Sequence, residues 1–357
     1  MADFEAHRAK LQAFLATQTV ENFGLGKQEI VIAPENITPV EGFELLAGKQ
    51  LRACPVRSAC GNEIIGTLDL RDVCKFFVEQ HRKKSPESPE SASLPVASLR
   101  KLVLETITLH PDVQQSEPTL RYLAKMRPFR IFPPSSSMHE IVHALSGPRH
   151  IVGISAAADP ARASEGSVSG LSKVVNQKDV FALLAPALHE VDVPVTAVMT
   201  SPVLSVTGDT PAFKAFELMA NKGVSGLAVV DEEGGQIIHN TSAKDVKLWV
   251  APKRRRISGA ADGVDAADGA LHDDDGALSM DGPIESFLVA LRARTDSAAK
   301  TRVPVCVCHT TDTVGIVSGI LHRTGYHRIW VVDEDRRPVG VVSITDILRH
   351  LIPPPAH

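Results

Sequence analysis

Residues 325–348 read "GYHRIWVVDEDRRPVGVVSITDIL". Within this run the β-branched and aromatic residues of IWVV precede a polar stretch, DEDRRP, and a second run, VGVVS, follows it. Two short β-rich runs around a polar turn predict an antiparallel hairpin. The final SITD then has the spacing of a capping box, in which a serine caps a helix and an acid three residues on reaches back. The unit is therefore strand, turn, strand, helix.

The same order occurs three more times, and a repeat redefines what each motif within it means. The matching stretches are "LRACPVRSACGNEIIGTLDLRDVCKFF" from residue 51, "RHIVGIS" from 149 continued by "SGLSKVVNQKDVFALL" from 169, and "VSGLAVVDEEGGQIIHNTSAKDVKLWV" from 224. Each ends its four-residue signal in an acid, at Asp72, Asp179, Asp245 and Asp346. Upstream of each lies a further strand and helix. In the third repeat VLSV leads to GDTPAFKAFELMANKG, with Asp209 or Thr210 as cap, Pro211 in the first turn, and Phe213, Phe216 and Met219 on one face. The Gly234-Gly235 pair marks the hairpin turn. The whole unit reads β-α-β-β-α, an α/β repeat present four times.

These units divide the chain into an N-terminal extension (1–24), repeat one (25–80), a linker (81–98), repeat two (99–188, with a loop insertion at 155–170), repeat three (190–250), a disordered linker (251–282) and repeat four (283–352). The two linkers and the insertion are rich in small, polar and charged residues and lack periodicity. Within the second linker, PKRRR is similar to a weak nuclear-import signal, and Ser258 lies in a basophilic-kinase pattern.

At 357 residues the chain exceeds one ordinary core, and a hydrophobic content of 43% with 22% charged residues is that of a soluble globular protein. A net charge of -4 supplies no general attraction to nucleic acid or an anionic membrane. No apolar run reaches the roughly 18 residues of a membrane span, and the acidic start argues against a secretory signal. The five cysteines (Cys54, Cys60, Cys74, Cys306, Cys308) form no CxxC pair, which places the protein in the reducing cytoplasm or nucleus.

Four such units resemble the cystathionine-β-synthase (CBS) domain, and their arrangement resembles the γ regulatory subunits of AMP-activated and sucrose-non-fermenting kinases, including γ-like proteins of plants. The likeness runs over most of residues 25–352, is strongest in repeats four and three, and weakest in repeat two. It implies that units pair through their sheets into two Bateman modules that together form a disc. It also implies a non-catalytic, energy-sensing role, with AMP, ADP or ATP as regulatory ligands, no other cofactor, and a kinase catalytic subunit and a β-type scaffold subunit as partners. A stand-alone four-repeat protein that binds an adenosyl ligand weakly or not at all, and regulates something other than a kinase, is the alternative.

The resemblance further implies that Asp346, Asp245, Asp72 and Asp179 meet a ribose diol, since one carboxylate can accept both hydroxyl hydrogens. Ser343, Thr345, Ser242 and Ser225 match hydroxyl contacts. Arg328, His327, Arg52, Arg149 and His150 stand where related units meet phosphate. Where repeats three and four have Ser242 and Ser343, repeat one has Asp69, whose charge makes it the poorest of the four.

A competing signal is His139-Glu140-x-x-His143, the spacing of a helical zinc-peptidase site. On a helix, Met138, Ile141, Val142 and Leu145 form one stripe, and the two histidines fall to its flank. The stretch then reads as the first helix of repeat two, capped from Ser135–Ser137, with no metal and no catalytic residue.

Overall fold

A computed structural model describes residues 2–25, 30–60, 63–72, 74–76, 78, 120–156, 170–250, 279–294 and 305–352. The expectations for Ser258, the PKRRR stretch, the whole first linker, most of the second and the body of the insertion fall on residues outside these.

Repeat four takes the form its sequence predicts. Strand β10 (Val307–His309) leads to a helix, Val314–Thr324, capped by the Thr313 hydroxyl and ended by Gly325 at φ 67°, a conformation that suits glycine. Strands β11 (Arg328–Val332) and β12 (Pro338–Ser343) follow, joined by a turn in which Asp333 Oδ1 accepts the backbone N–H groups of Asp335 and Arg337 at 3.0 and 2.8 Å. The exit helix Ile344–Leu351 opens on a complete capping box between Ser343 and Asp346.

The other repeats follow the same plan: β1 (Ala33–Pro34), β2 (Ala53–Arg57) and β3 (Ile64–Asp69); β4 (Ile131–Phe132), β5 (Ile151–Ser155) and β6 (Leu171–Asn176); β7 (Ser205–Thr207), β8 (Gly226–Val230) and β9 (Ile237–Ser242). In each three-stranded sheet the first pair is parallel and the second antiparallel, with a bulge at the last residue of the middle strand. Both Gly-turn and strand assignments for repeat three hold, Gly235 standing at φ 68°. The cap does not: helix Ala212–Lys222 has Pro211 itself at the N-cap and no side-chain bond, because Asp209 is engaged by the Thr207 hydroxyl.

The segment leading into each repeat crosses to its neighbour. Residues 18–20 bridge to Ser136 and Ser137 of repeat two, while helix Leu120–Lys125, which leads into repeat two, packs Leu120, Leu123 and Ala124 on the core of repeat one. Likewise Val195 bonds to Asp312 of repeat four, whereas Ile284, Phe287, Leu288 and Leu291 of helix Ile284–Arg294 enter the core of repeat three. Met280 also enters that core and Gly282 bonds to Ala212, so the last residues of the stretch read as disordered linker are built into the fold. This exchange ties each pair of repeats into one module.

Between modules the helices mix differently. One apolar core joins repeats two and four, together with Leu11 and Leu15 of the N-terminal helix Ala2–Thr17; a second joins repeats one and three. The two modules therefore share their cores, and the first turns of the exit helices of repeats one, two and four meet.

Candidate functional site

That convergence encloses a cleft of about 400 Å³, within the range of small-molecule sites. All four repeats reach it: Arg52 and Arg71 from the first, His150 and Gln177 from the second, Ser225 and Gly226 from the third, and His327, Arg328, Ser343, Thr345 and Asp346 from the fourth. Thr200 and Val203, from the exchanged segment before repeat three, complete one wall.

Asp346 shows how the capping and ligand readings coexist. Its Oδ2 closes the capping box, accepting from the Ser343 backbone N–H at 2.8 Å and the Ser343 hydroxyl at 2.5 Å. Its Oδ1 faces the cleft, accepting from the Thr200 hydroxyl at 3.3 Å with Arg349 Nη1 3.6 Å away. One oxygen builds the helix and the other is presented.

Across the cleft, Arg328 is fixed by its Nη2, which donates to the Ser225 carbonyl at 2.9 Å and the Ser225 hydroxyl at 2.7 Å. Ser225 is thus an anchor for the arginine between repeats three and four. Thr345 donates to Gln177 Oε1 at 3.2 Å, and the Gln177 amide donates to the Leu145 carbonyl at 2.7 Å, linking repeats four and two.

The charges here are crowded, and positive groups outnumber the Asp346 carboxylate. Burial, followed by the charge of Arg52, lowers Arg328 to about 10, against the opposing pull of Asp245 and Asp346. Burial, then Arg52, Lys178, Arg328 and His150, pushes the His327 imidazole down to about 2. Such a cluster is relieved by a bound anion. It also has a cost in acid. His327 stays neutral in the folded chain but protonates near pH 6.5 once unfolded, so its contribution to stability is present above that pH and is lost as pH falls below it. His150 and His239 are shifted the same way by burial. We expect the melting temperature to fall between pH 6.5 and 5, and His327→Gln to remove about 1.4 kcal/mol per pH unit of that slope.

Of the residues expected from sequence, Asp346, Ser343, Thr345, Ser225, Arg328, His327, Arg52 and His150 come together at this cleft. The others do not. Asp72 is buried and held by Arg127 Nε at 2.5 Å, so its carboxylate already has a cation as partner. Asp179 closes a capping box with Asn176. Asp245 accepts from the Ser242 N–H at 2.6 Å and from the Thr241 and Ser242 hydroxyls at 3.3 Å, and burial raises its pKa. Arg149 lines a separate 120 Å³ cavity between repeats one and two.

Thr200, Arg71, Gln177 and Arg349 also line the cleft and were not among the residues expected from sequence. Thr200 lies in the exchanged segment, which the repeat pattern assigns elsewhere. Gln177 and Arg349 occupy exit helices at positions where the repeats differ from one another, whereas Arg71 stands at a position that is basic in three repeats (Arg71, Lys178, Lys244), a signal that could have found it.

Elsewhere, His139 and His143 do lie on the flank of a helix, Met138–Leu145, with stacked rings 6.4 Å apart. Glu140 accepts from the Ser137 N–H at 3.0 Å and hydroxyl at 3.1 Å, closing the cap rather than facing a metal-bound water. Among the described residues no three His, Cys, Asp or Glu side chains are grouped to hold a metal, and no helix is long and apolar enough to cross a membrane. Burial raises the thiols of Cys306 and Cys308, the latter to about 12, which disfavours thiolate.

Residues 195–251 and 299–353 match the model of the CBS domain. The γ-1 regulatory subunit of an SNF1-related protein kinase from Arabidopsis thaliana is 23% identical over 207 residues, 53% of this chain and 43% of that protein. An uncharacterized protein of Methanocaldococcus jannaschii is 25% identical over 185 residues, 45% of this chain and 44% of that protein. The chain spans less than half the length of either curated relative. Among solved structures, an M. jannaschii protein described as a candidate archaeal homolog of g-AMPK superposes with a TM-score of 0.59 at 14% identity, covering 93% of this chain and 99% of that one. A conserved Pyrococcus horikoshii protein gives 0.50 at 12% identity, with the same coverage. The chain carries CBS domains and is a CBS-repeat protein resembling the kinase γ subunits, its units paired in two Bateman modules.

Proposed function

We propose that the protein is a non-catalytic sensor of adenine nucleotides, and that the cleft shared by the four repeats is its ligand site. The observation that carries this reading is the opposition of Asp346 Oδ1 to Arg328, His327, Arg52 and His150. A carboxylate oxygen can take a ribose diol, while the guanidinium groups of Arg328 and Arg52 supply charge to the phosphates and the neutral imidazoles of His327 and His150 can donate a hydrogen bond to them. The exchanged wall at Thr200–Leu204 and the buried Trp330 supply an apolar surface suited to a purine. A ligand held there touches all four repeats, so its binding energy can bias how the modules sit together or what they bind. By likeness to the plant γ subunit, the partners are a kinase catalytic subunit and a β-type scaffold subunit.

Calorimetry with AMP, ADP and ATP tests the site. Asp346→Ala is expected to weaken AMP binding by about tenfold to a hundredfold, the cost of a hydrogen-bonded charged group. A variant that binds as tightly as wild type would move the ribose elsewhere.

The uncharacterized M. jannaschii relative is as similar as the plant subunit, which supports a second reading: a stand-alone CBS protein whose adenosyl ligand regulates another partner. Purification from native cells separates the two, since only the first predicts a Ser/Thr kinase in stoichiometric amount.

A further inference from the structure

Asp69 occupies the position of Ser242 and Ser343 in repeats three and four, and caps the first repeat's exit helix by accepting the Arg71 N–H at 2.9 Å. It is 1% exposed. A buried carboxylate costs several kcal/mol without partners, and Asp69 has two. Arg71 donates to it from Nε at 3.0 Å and Nη2 at 3.1 Å, and His150 Nδ1 lies 2.8 Å from Oδ2. Burial would raise the carboxyl, but His150 and Arg71 hold it well below the usual range. Arg71 is tied further to the Pro148 carbonyl at 2.7 Å, so the group is rigid and spans repeats one and two.

Arg71 and His150 line both the small cavity between repeats one and two and the shared cleft. Arg71 is therefore a cation of the cleft wall already matched to a permanent internal anion, and the His150 imidazole lies against the same carboxylate. Arg52, also in the cleft, feels the same carboxylate.

Resting on the proposed nucleotide site, we infer that Asp69 sets how many phosphate charges the cleft accepts, favouring a nucleoside monophosphate over a triphosphate. A single phosphate is met by Arg328 and its neighbours on the side of repeat four. A longer chain reaching the wall of repeats one and two meets side chains whose charge is neutralised, with a fixed negative charge behind them. Like charge at close range opposes binding and tunes selectivity more than affinity.

The test is calorimetry on the full chain with AMP and ATP, comparing wild type with Asp69→Asn, which keeps a good N-cap. Wild type is expected to bind AMP at least tenfold tighter than ATP. The variant is expected to gain about tenfold for ATP, some 1.4 kcal/mol, and less than threefold for AMP. Asp69→Ser, with the residue type of repeats three and four, carries the same forecast should the asparagine variant not fold. If AMP binds but the AMP-to-ATP ratio is unchanged in the folded variants, Asp69 does not set selectivity, and the site itself stands. If folded wild type binds neither nucleotide at millimolar concentration, the site reading fails first.

Discussion

Replacing Arg328 by alanine is expected to weaken AMP binding by about a hundredfold or more. The guanidinium is partly buried, oriented by two bonds to Ser225, and central to the cationic wall of the cleft. Truncating one member of a buried charged pair costs roughly 2–5 kcal/mol. Arg328→Lys keeps a charge but not the two-pronged donor geometry, and should fall between alanine and wild type. Calorimetry on both variants, with thermal melts to confirm folding, checks the order. Equal affinity in all three proteins would show that the phosphate lies elsewhere.

The hairpin, the capping acid and the repeat were legible in the sequence because they depend on neighbours in the chain. Polar turn chemistry at Asp231 and Asp333, and the boxes at Asp179 and Asp346, are local, and the structure contains them as read. What could not be read is who faces whom. The Asp ending each four-residue signal has the same local role, yet only Asp346 presents an oxygen to the cleft; Asp72 meets Arg127 across 55 residues of chain. The sequence places a charge at Asp69 beside an expected phosphate position, but its pairing with Arg71 and His150 depends on the approach of repeat two. Thr200 and helix Ile284–Arg294 belong to one repeat by sequence and to its neighbour by packing.

That exchange makes the second large forecast. Phe287 is fully buried and meets Phe216 edge-on, with ring centres 5.8 Å apart. Phe287→Ala is expected to cost about 3–5 kcal/mol in chemical unfolding, the usual range for a large core truncation. On the same helix Val289 is half exposed, and Val289→Ala should change stability by less than about 0.5 kcal/mol. Similar small effects at both positions would mean that Ile284–Arg294 does not close the core of repeat three.

The central claim is that an adenine nucleotide sits where the four repeats meet. A crystal structure of the full chain grown with AMP tests it most directly. The account predicts one nucleotide in the shared cleft, its ribose on Asp346 Oδ1 and its phosphate among Arg328, His327 and Arg52. A nucleotide found instead against Asp72 or Asp179, with the shared cleft empty, would contradict it.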